Sequence, residues 1–175
     1  MSVLHPDVIK LVKEAIRLEI KGRAFFLYAA EVTENSLGKK MFERLASEEV
    51  EHMKAFGQLF TEATGDEEWK KFVRGEERES SHLIEKLKER MSGAGKKKGG
   101  DELEALRIGM ELERSAIDFF TRLAAESSAP TAKELAEEIC EQEKTHYDLL
   151  QAQYDSVHNA GFWLDDAEFR LDGEY

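Results

Sequence analysis

The chain has little that could cross-link it or break its helices. One cysteine, Cys140, stands among 175 residues, so no internal disulfide framework can form and no Cys-x-x-Cys pair exists to hold iron or zinc. There are two prolines, Pro6 and Pro130, which leaves long stretches free of the residue that interrupts helices. Runs of β-branched residues are scarce while Glu, Lys, Ala and Leu abound, and that balance predicts an all-α protein. No apolar run approaches a membrane span, and Met-Ser-Val-Leu-His-Pro at the start lacks the basic and apolar regions of a secretion signal. A cytoplasmic protein with no membrane partner is therefore expected. Positive charge is also short: 25 Lys and Arg face 37 Asp and Glu, for a net charge of −12. No basic surface is available for phosphates, which argues against a nucleic-acid partner. The length suits one domain, 1–175, with a substantial core.

Against these absences, one pattern stands out. Phe42, Leu45, Glu49, His52, Phe56, Leu59 and Ala63 follow one another at steps of three and four, the spacing of a single helix face. A carboxylate and an imidazole inside an apolar stripe are costly unless something compensates them. The Glu49-x-x-His52 motif recurs as Glu143-x-x-His146, and both pairs are 94 residues apart. The same offset carries Leu18-Glu19 onto Leu112-Glu113 and Phe25-Phe26 onto Phe119-Phe120, which indicates an internal duplication of roughly residues 7–64 and 101–157. Glu79-x-x-His82 has no such counterpart, and His82 is expected at the surface or edge of the fold.

In chain order, Pro6-Asp7 opens a first helix expected to reach about Asn35. Its stripe is Val8, Val12, Ala15, Glu19, Gly22, Phe26 and Ala29, with Glu19 either in the centre of the face or, if the helix is rotated, at its boundary. Asn35-Ser36-Leu37-Gly38 reads as a short turn before a second, antiparallel helix that ends near Thr64. Residues 65–100 form a crossover. They hold one or two more polar helices on the outside of the bundle, with Trp69, Phe72 and Val73 before Gly75, then a basic, glycine-rich linker from Ser92 to Gly100. Asp101 is expected to cap a third long helix to about Ser127, whose stripe is Glu102, Leu106, Gly109, Glu113, Ala116, Phe120 and Leu123. Pro130 suits the first turn of the fourth, whose stripe is Ala136, Ile139, Glu143, His146, Leu150, Gln153 and Val157. Residues 158–175 form a tail whose Phe162, Trp163, Leu164 and Phe169 should pack on the bundle or on a partner subunit. Cys140 lies one turn before Glu143 on the same face, where a buried core cysteine is the reading preferred to a redox role.

The stripes together place Glu19, Glu49, His52, Glu113, Glu143 and His146 on the inward faces of four helices. One glutamate from each of two helices, plus a Glu-x-x-His from each of the other two, is the donor set of a two-metal carboxylate site. Each metal would take one histidine and one terminal glutamate, with the remaining two glutamates bridging. Four carboxylates balance two divalent cations, so a dry core can hold the set. Oxygen and imidazole donors suit iron or manganese, with zinc a further substitute.

The doubled Glu-x-x-His motifs, with Leu18-Glu19 and Phe25-Phe26 upstream of one and Glu113 and Phe119-Phe120 upstream of the other, resemble the rubrerythrin branch of the ferritin-like superfamily over residues 7–157. The resemblance implies a ferritin-like four-helix bundle with a long crossover, a homodimer, two iron ions as cofactor, and reduction of hydrogen peroxide or dioxygen or oxidation of ferrous iron. Three features depart from the family pattern. The paired Cys-x-x-Cys of a rubredoxin domain is missing, so electrons would come from an external donor such as a rubredoxin-like protein. The position of an additional glutamate one turn past the third-helix ligand is Ala116. The positions where that family commonly has tyrosine are Phe26 and Phe120, which disfavours a tyrosyl radical there and leaves Tyr28 and Tyr147 as candidates. The leading expectation is a non-haem di-iron oxidoreductase. The alternatives are an iron-oxidising or storage protein without peroxidase turnover, and a helical module with a vestigial site. Gly22 and Ala116, each three residues past a glutamate, are expected to leave room for an oxidant.

Overall fold

The computed structural model describes residues 5–94 and 100–165. Among these residues five helices follow one another: α1 (Pro6–Val32), α2 (Ser36–Thr64), α3 (Trp69–Ala94), α4 (Gly100–Glu126) and α5 (Pro130–Ala160). No strand occurs among the described residues. No helix is long and apolar enough to cross a membrane, again among the described residues. At 1.5 Å per residue the four long bundle helices each span about 40 Å or more, enough for two separate apolar layers with something between them.

Helix ends follow local chemistry. Pro6 occupies the first turn of α1, and the His5 side chain accepts the Asp7 backbone N–H. α1 stops at Val32, earlier than the expected Asn35. The reason is that Asn35 is the cap of the next helix: its Oδ1 accepts the N–H groups of Leu37 and Gly38 at 2.9 and 3.3 Å. Ser36, Leu37 and Gly38 therefore form the first turn of α2 instead of a connecting turn. α2 ends at Thr64 and is capped by Gly65, whose φ of 77° is left-handed and favours glycine. Asp101 is likewise not a cap, because α4 already begins at Gly100 and Asp101 sits in its first turn. α4 ends at Glu126, and Pro130 begins α5.

The crossover is one helix, which runs through Gly75 without a break. Its inward residues Phe72, Val73, Glu76, Ser80, Ile84 and Leu87 recur at steps of one, three and four and lie against α1. Arg17 pairs with Glu76 and Arg23 with Glu77, both at 3.1 Å, so ionic contacts tie the residues just after that glycine to α1. Ser92–Ala94 continue α3 and Gly100 belongs to α4, so the expected glycine-rich linker is shorter; residues 95–99 lie outside the described residues.

α1 packs along α2 and α4 along α5, and the two hairpins face each other across the core. That core is divided. One apolar layer collects Val12, Ile16, Phe56, Phe120, Leu123 and Ile139; the other collects Phe26, Phe42, Leu45, Leu106, Leu149 and Leu150. On each of the four helices the residues between these layers are the acidic and histidine positions. The aromatic pairs that mark the repeat have matching geometry: Phe25–Phe26 and Phe119–Phe120 both meet edge to face, at 5.6 and 5.4 Å. Phe26 then stacks on Phe42, and Phe120 on Phe56.

Among the described tail residues, one large side chain packs into the bundle. Trp163 is buried edge-on against Phe42, while Phe162 is 57 % exposed. Gln153, buried in α5, exchanges two 2.9 Å hydrogen bonds with the backbone of Leu164. Phe169 lies outside the described residues.

Candidate metal centre

Four carboxylates and two imidazoles meet between the apolar layers. Glu19 comes from α1, Glu49 and His52 from α2, Glu113 from α4, and Glu143 and His146 from α5. None is more than 4 % exposed. Glu19 at 1 % lies in the centre of its face, which decides against the rotated-helix alternative. The histidine rings stack at 5.6 Å with a 16° tilt.

Donor atoms fall into two overlapping sets. Glu19, Glu49, His52 and Glu143 form one; Glu49, Glu113, Glu143 and His146 form the other, and within each set the donor atoms lie within 4.8 Å of one another. Glu49 and Glu143 belong to both, and each set adds one histidine and one further glutamate. Both imidazoles turn Nδ1 inward. His52 Nδ1 is 3.0 Å from Glu143 and 3.3 Å from Glu19. His146 Nδ1 is 3.0 Å from Glu143, 3.4 Å from Glu113 and 3.5 Å from Glu49.

The outer nitrogens face partners that spacing alone did not single out. His52 Nε2 lies 2.9 Å from Gln142 Oε1, and His146 Nε2 lies 2.5 Å from Glu48 Oε2. Both partners are acceptors, so a neutral imidazole carries its proton on Nε2 and leaves the Nδ1 lone pair directed inward. The contacts cross: Glu48 of α2 holds the histidine of α5, and Gln142 of α5 holds the histidine of α2. A signal was available in the sequence, since 142 − 48 is again 94 and each residue immediately precedes a glutamate of the site.

Burying this much negative charge shifts its protonation. Glu19 is held well above the usual carboxylate range by burial and then by the charges of Glu49 and Glu143. Glu113 is raised the same way, by burial and then by Glu143. Burial also pushes Glu143 upward, but hydrogen bonds from His146 and His52 outweigh it and hold this carboxylate well below its ordinary value. Burial alone would lower both imidazoles. For His146, the nearby carboxylates of Glu113, Glu143 and Glu48 reverse that and raise it strongly; for His52, Glu143 does so.

Protons do not satisfy the whole cluster. Both oxygens of Glu19, Oε1 of Glu49 and Oε1 of Glu113 are buried without a hydrogen-bond partner. Unpartnered buried carboxylate oxygens are expensive, and here they converge with imidazole nitrogens in a geometry that suits two cations. Hard oxygen donors with one imidazole apiece fit a di-iron site, and no thiolate joins them.

A cleft of about 40 Å³ leads to the carboxylates between α1 and α4, lined by Leu18, Lys21, Gly22, Phe26, Leu112, Ser115 and Ala116 together with Glu19, Glu49 and Glu113. It is large enough only for a very small molecule. Gly22 has a second role that the sequence reading did not foresee: a Cβ there would lie 2.7 Å from Glu49 Oε2. The glycine seats the Glu49 carboxylate as well as bordering the cleft. Of the remaining candidates, His82 lies at the surface, its side chain 82 % exposed. Cys140 is buried in the core, with Sγ 3.5 Å from Thr121 Oγ1. Tyr28 is buried, with the Lys88 ammonium over its ring, and the Tyr147 hydroxyl accepts a hydrogen bond from Arg114.

Comparison with known proteins agrees with this architecture. A hypothetical protein from Pyrococcus furiosus shares the fold with a TM-score of 0.66 at 20 % identity, over 89 % of this chain and 93 % of that one. No curated protein matches the chain significantly. The family model described as Rubrerythrin matches residues 10–154, a span that takes in both hairpins, the crossover helix and all six buried donors. The all-α fold is a ferritin-like bundle, and the chain belongs to the rubrerythrin family.

Proposed function

We propose that Glu19, Glu49, His52, Glu113, Glu143 and His146 hold two iron ions and that the protein reduces hydrogen peroxide or dioxygen with electrons from an external donor. The observation that carries this reading is the pair of overlapping four-donor sets with unpartnered carboxylate oxygens at their centre. Glu19 and His52 would serve one ion, Glu113 and His146 the other, and Glu49 and Glu143 both. When bound, an iron pair supplies electrons to a small oxidant in the step that consumes it. Everything else falls to the chain. Gln142 and Glu48 keep the histidine Nδ1 atoms directed inward. Leu18, Phe26 and Leu112 restrict water around the carboxylates. Ala116, one turn past Glu113, borders the cleft where a longer acidic side chain would fill it. Each peroxide reduced to water takes up two electrons and two protons, so steady turnover needs the donor.

Stopped-flow mixing of anaerobic ferrous-loaded protein with peroxide, and separately with dioxygen, tests the proposal. Rapid oxidation followed by repeated turnover with a rubredoxin-like donor is expected. Iron uptake well beyond two per chain would favour the alternative of a ferroxidase or storage protein. Failure of both reagents to oxidise the loaded site within seconds would remove the oxidoreductase reading.

A further inference from the structure

The two halves of the centre are matched in their inner donors and differ in what lies behind the histidines. Each four-donor set contains three glutamates and one histidine, with two of the glutamates common to both. By that count the two positions are equivalent. Behind His52 stands the neutral amide of Gln142, at 2.9 Å. Behind His146 stands the carboxylate of Glu48, at 2.5 Å. Glu48 is itself steadied by Arg44, whose Nε donates to its Oε1 at 3.1 Å. The residue 94 positions after Arg44 is the exposed Glu138, so the Arg44–Glu48 arm has no equivalent in the second hairpin.

A carboxylate accepting the outer N–H of a ligating imidazole raises the basicity of the inner nitrogen and places negative charge near the cation; an amide oxygen orients the ring and adds no net charge. Resting on the two-metal reading above, we propose that the centre is asymmetric by construction. The position built from Glu113 and His146 is the tighter one and fills first, and Glu48 is the positioning residue responsible. Glu48 is about a third exposed, so solvent screens part of its effect. Outer partners of ligating histidines typically change metal affinity by about 10- to 100-fold, and the lower end of that range is expected here.

The experiment uses the full chain, stripped with a chelator and reloaded with cobalt(II). Crystals grown with one equivalent of cobalt, measured by anomalous scattering, report which position fills. Competition titration against a chelating dye reports the two affinities. The expected result is cobalt mainly beside His146, with dissociation constants about tenfold apart. E48Q, which keeps the shape of the side chain, should bring the two constants together. The exchange variant E48Q/Q142E should move the preference to the His52 position, a reversal that a merely structural role for Glu48 would not produce. Even filling in the parent protein, first filling beside His52, or a preference unmoved by the exchange would overturn the inference. Saturation separates the two levels: two cobalt ions per chain bound with equal affinity removes only the asymmetry, whereas fewer than two removes the two-metal reading and the asymmetry with it.

Discussion

Gly22 leaves open the space beside the Glu49 carboxylate, since a Cβ added there would stand 2.7 Å from Glu49 Oε2. At that distance the carboxylate would have to move to accommodate any side chain at 22. Gly22→Ala should therefore displace a carboxylate common to both donor sets while improving local helix propensity by about 0.5–1 kcal/mol. The expected outcome is a metal-free protein at least as stable as the parent, and bound iron well below two per chain by elemental analysis; unchanged iron content would contradict it. Protonation gives a second residue-scale expectation for the metal-free protein. Glu19 and Glu113 sit above the ordinary carboxylate value of 4.5, and His146 and His52 above the ordinary imidazole value of 6.5. A group raised in the folded state contributes stability that is full below its unfolded value and lost as pH rises through its folded value. Glu143, which is lowered, works the other way, and its contribution disappears as pH falls below the ordinary carboxylate range. Thermal melts of chelator-treated protein should thus show highest stability in weak acid and a decline from about pH 5 toward 8. Iron binding in weak buffer should release protons, since the donors must give them up. Melts that rise steadily with pH across that range would show the shifts to be wrong.

At the scale of elements, the ends of the helices and the tail carry more of the organisation than their length suggests. Glu102, in the first turn of α4, accepts the backbone N–H groups of Glu34 and Asn35 and also the Trp163 indole, at 3.1 to 3.4 Å. It thereby joins the α1–α2 turn, the start of α4 and the tail. Sequence periodicity had placed it on the inward stripe with Leu106, and it proves to be half-buried at the end of the bundle. Trp163 completes this join by covering Phe42, which in turn stacks on Phe26 beside the cleft. Trp163→Ala should cost about 3 kcal/mol in denaturant unfolding, while Phe162→Ala, at an exposed position, should cost under about 0.5 kcal/mol. Equal effects of the two changes would mean that the tail does not hold to the bundle through Trp163.

The whole molecule is two apolar layers with a layer of charge between them, and the charged layer is its weak plane without cations. Four buried carboxylates, three of them with unpartnered oxygens, must be held together by the packing above and below. Metal that binds only the folded chain stabilises it by mass action, about 2.7 kcal/mol for a site at one hundred times its dissociation constant. Chelation should accordingly lower the melting temperature, and reloading with ferrous iron or manganese should restore it. The shared donors distinguish themselves in the same assay. Glu143→Ala removes an oxygen donor from both sets and should abolish tight binding of either ion. Glu113→Ala touches one set and should leave about one ion per chain, as Glu113 appears in a single set. Equal loss in both variants would mean that the centre does not divide as its geometry suggests.

The helical class, most of the inward faces and the six residues that meet at the centre are legible in the amino-acid sequence alone. Each follows from a local regularity: scarce proline, a period near 3.6, and one offset of 94 that carries Leu18, Glu19, Phe25, Glu49 and His52 onto their counterparts. Such regularities act along one helix and can be read without knowing its neighbours. The tertiary structure decided what lies between helices. It buried Glu19, set the Glu49 carboxylate against Gly22, crossed Glu48 and Gln142 onto the opposite histidines, and brought Trp163 back over Phe42. It also turned Ser36–Gly38 into the start of α2, because Asn35 found two backbone donors to accept. These outcomes depend on distances of a few ångströms between residues far apart in the chain, Phe42 and Trp163 among them, which hydrophobic period does not encode and only close packing of the finished bundle sets.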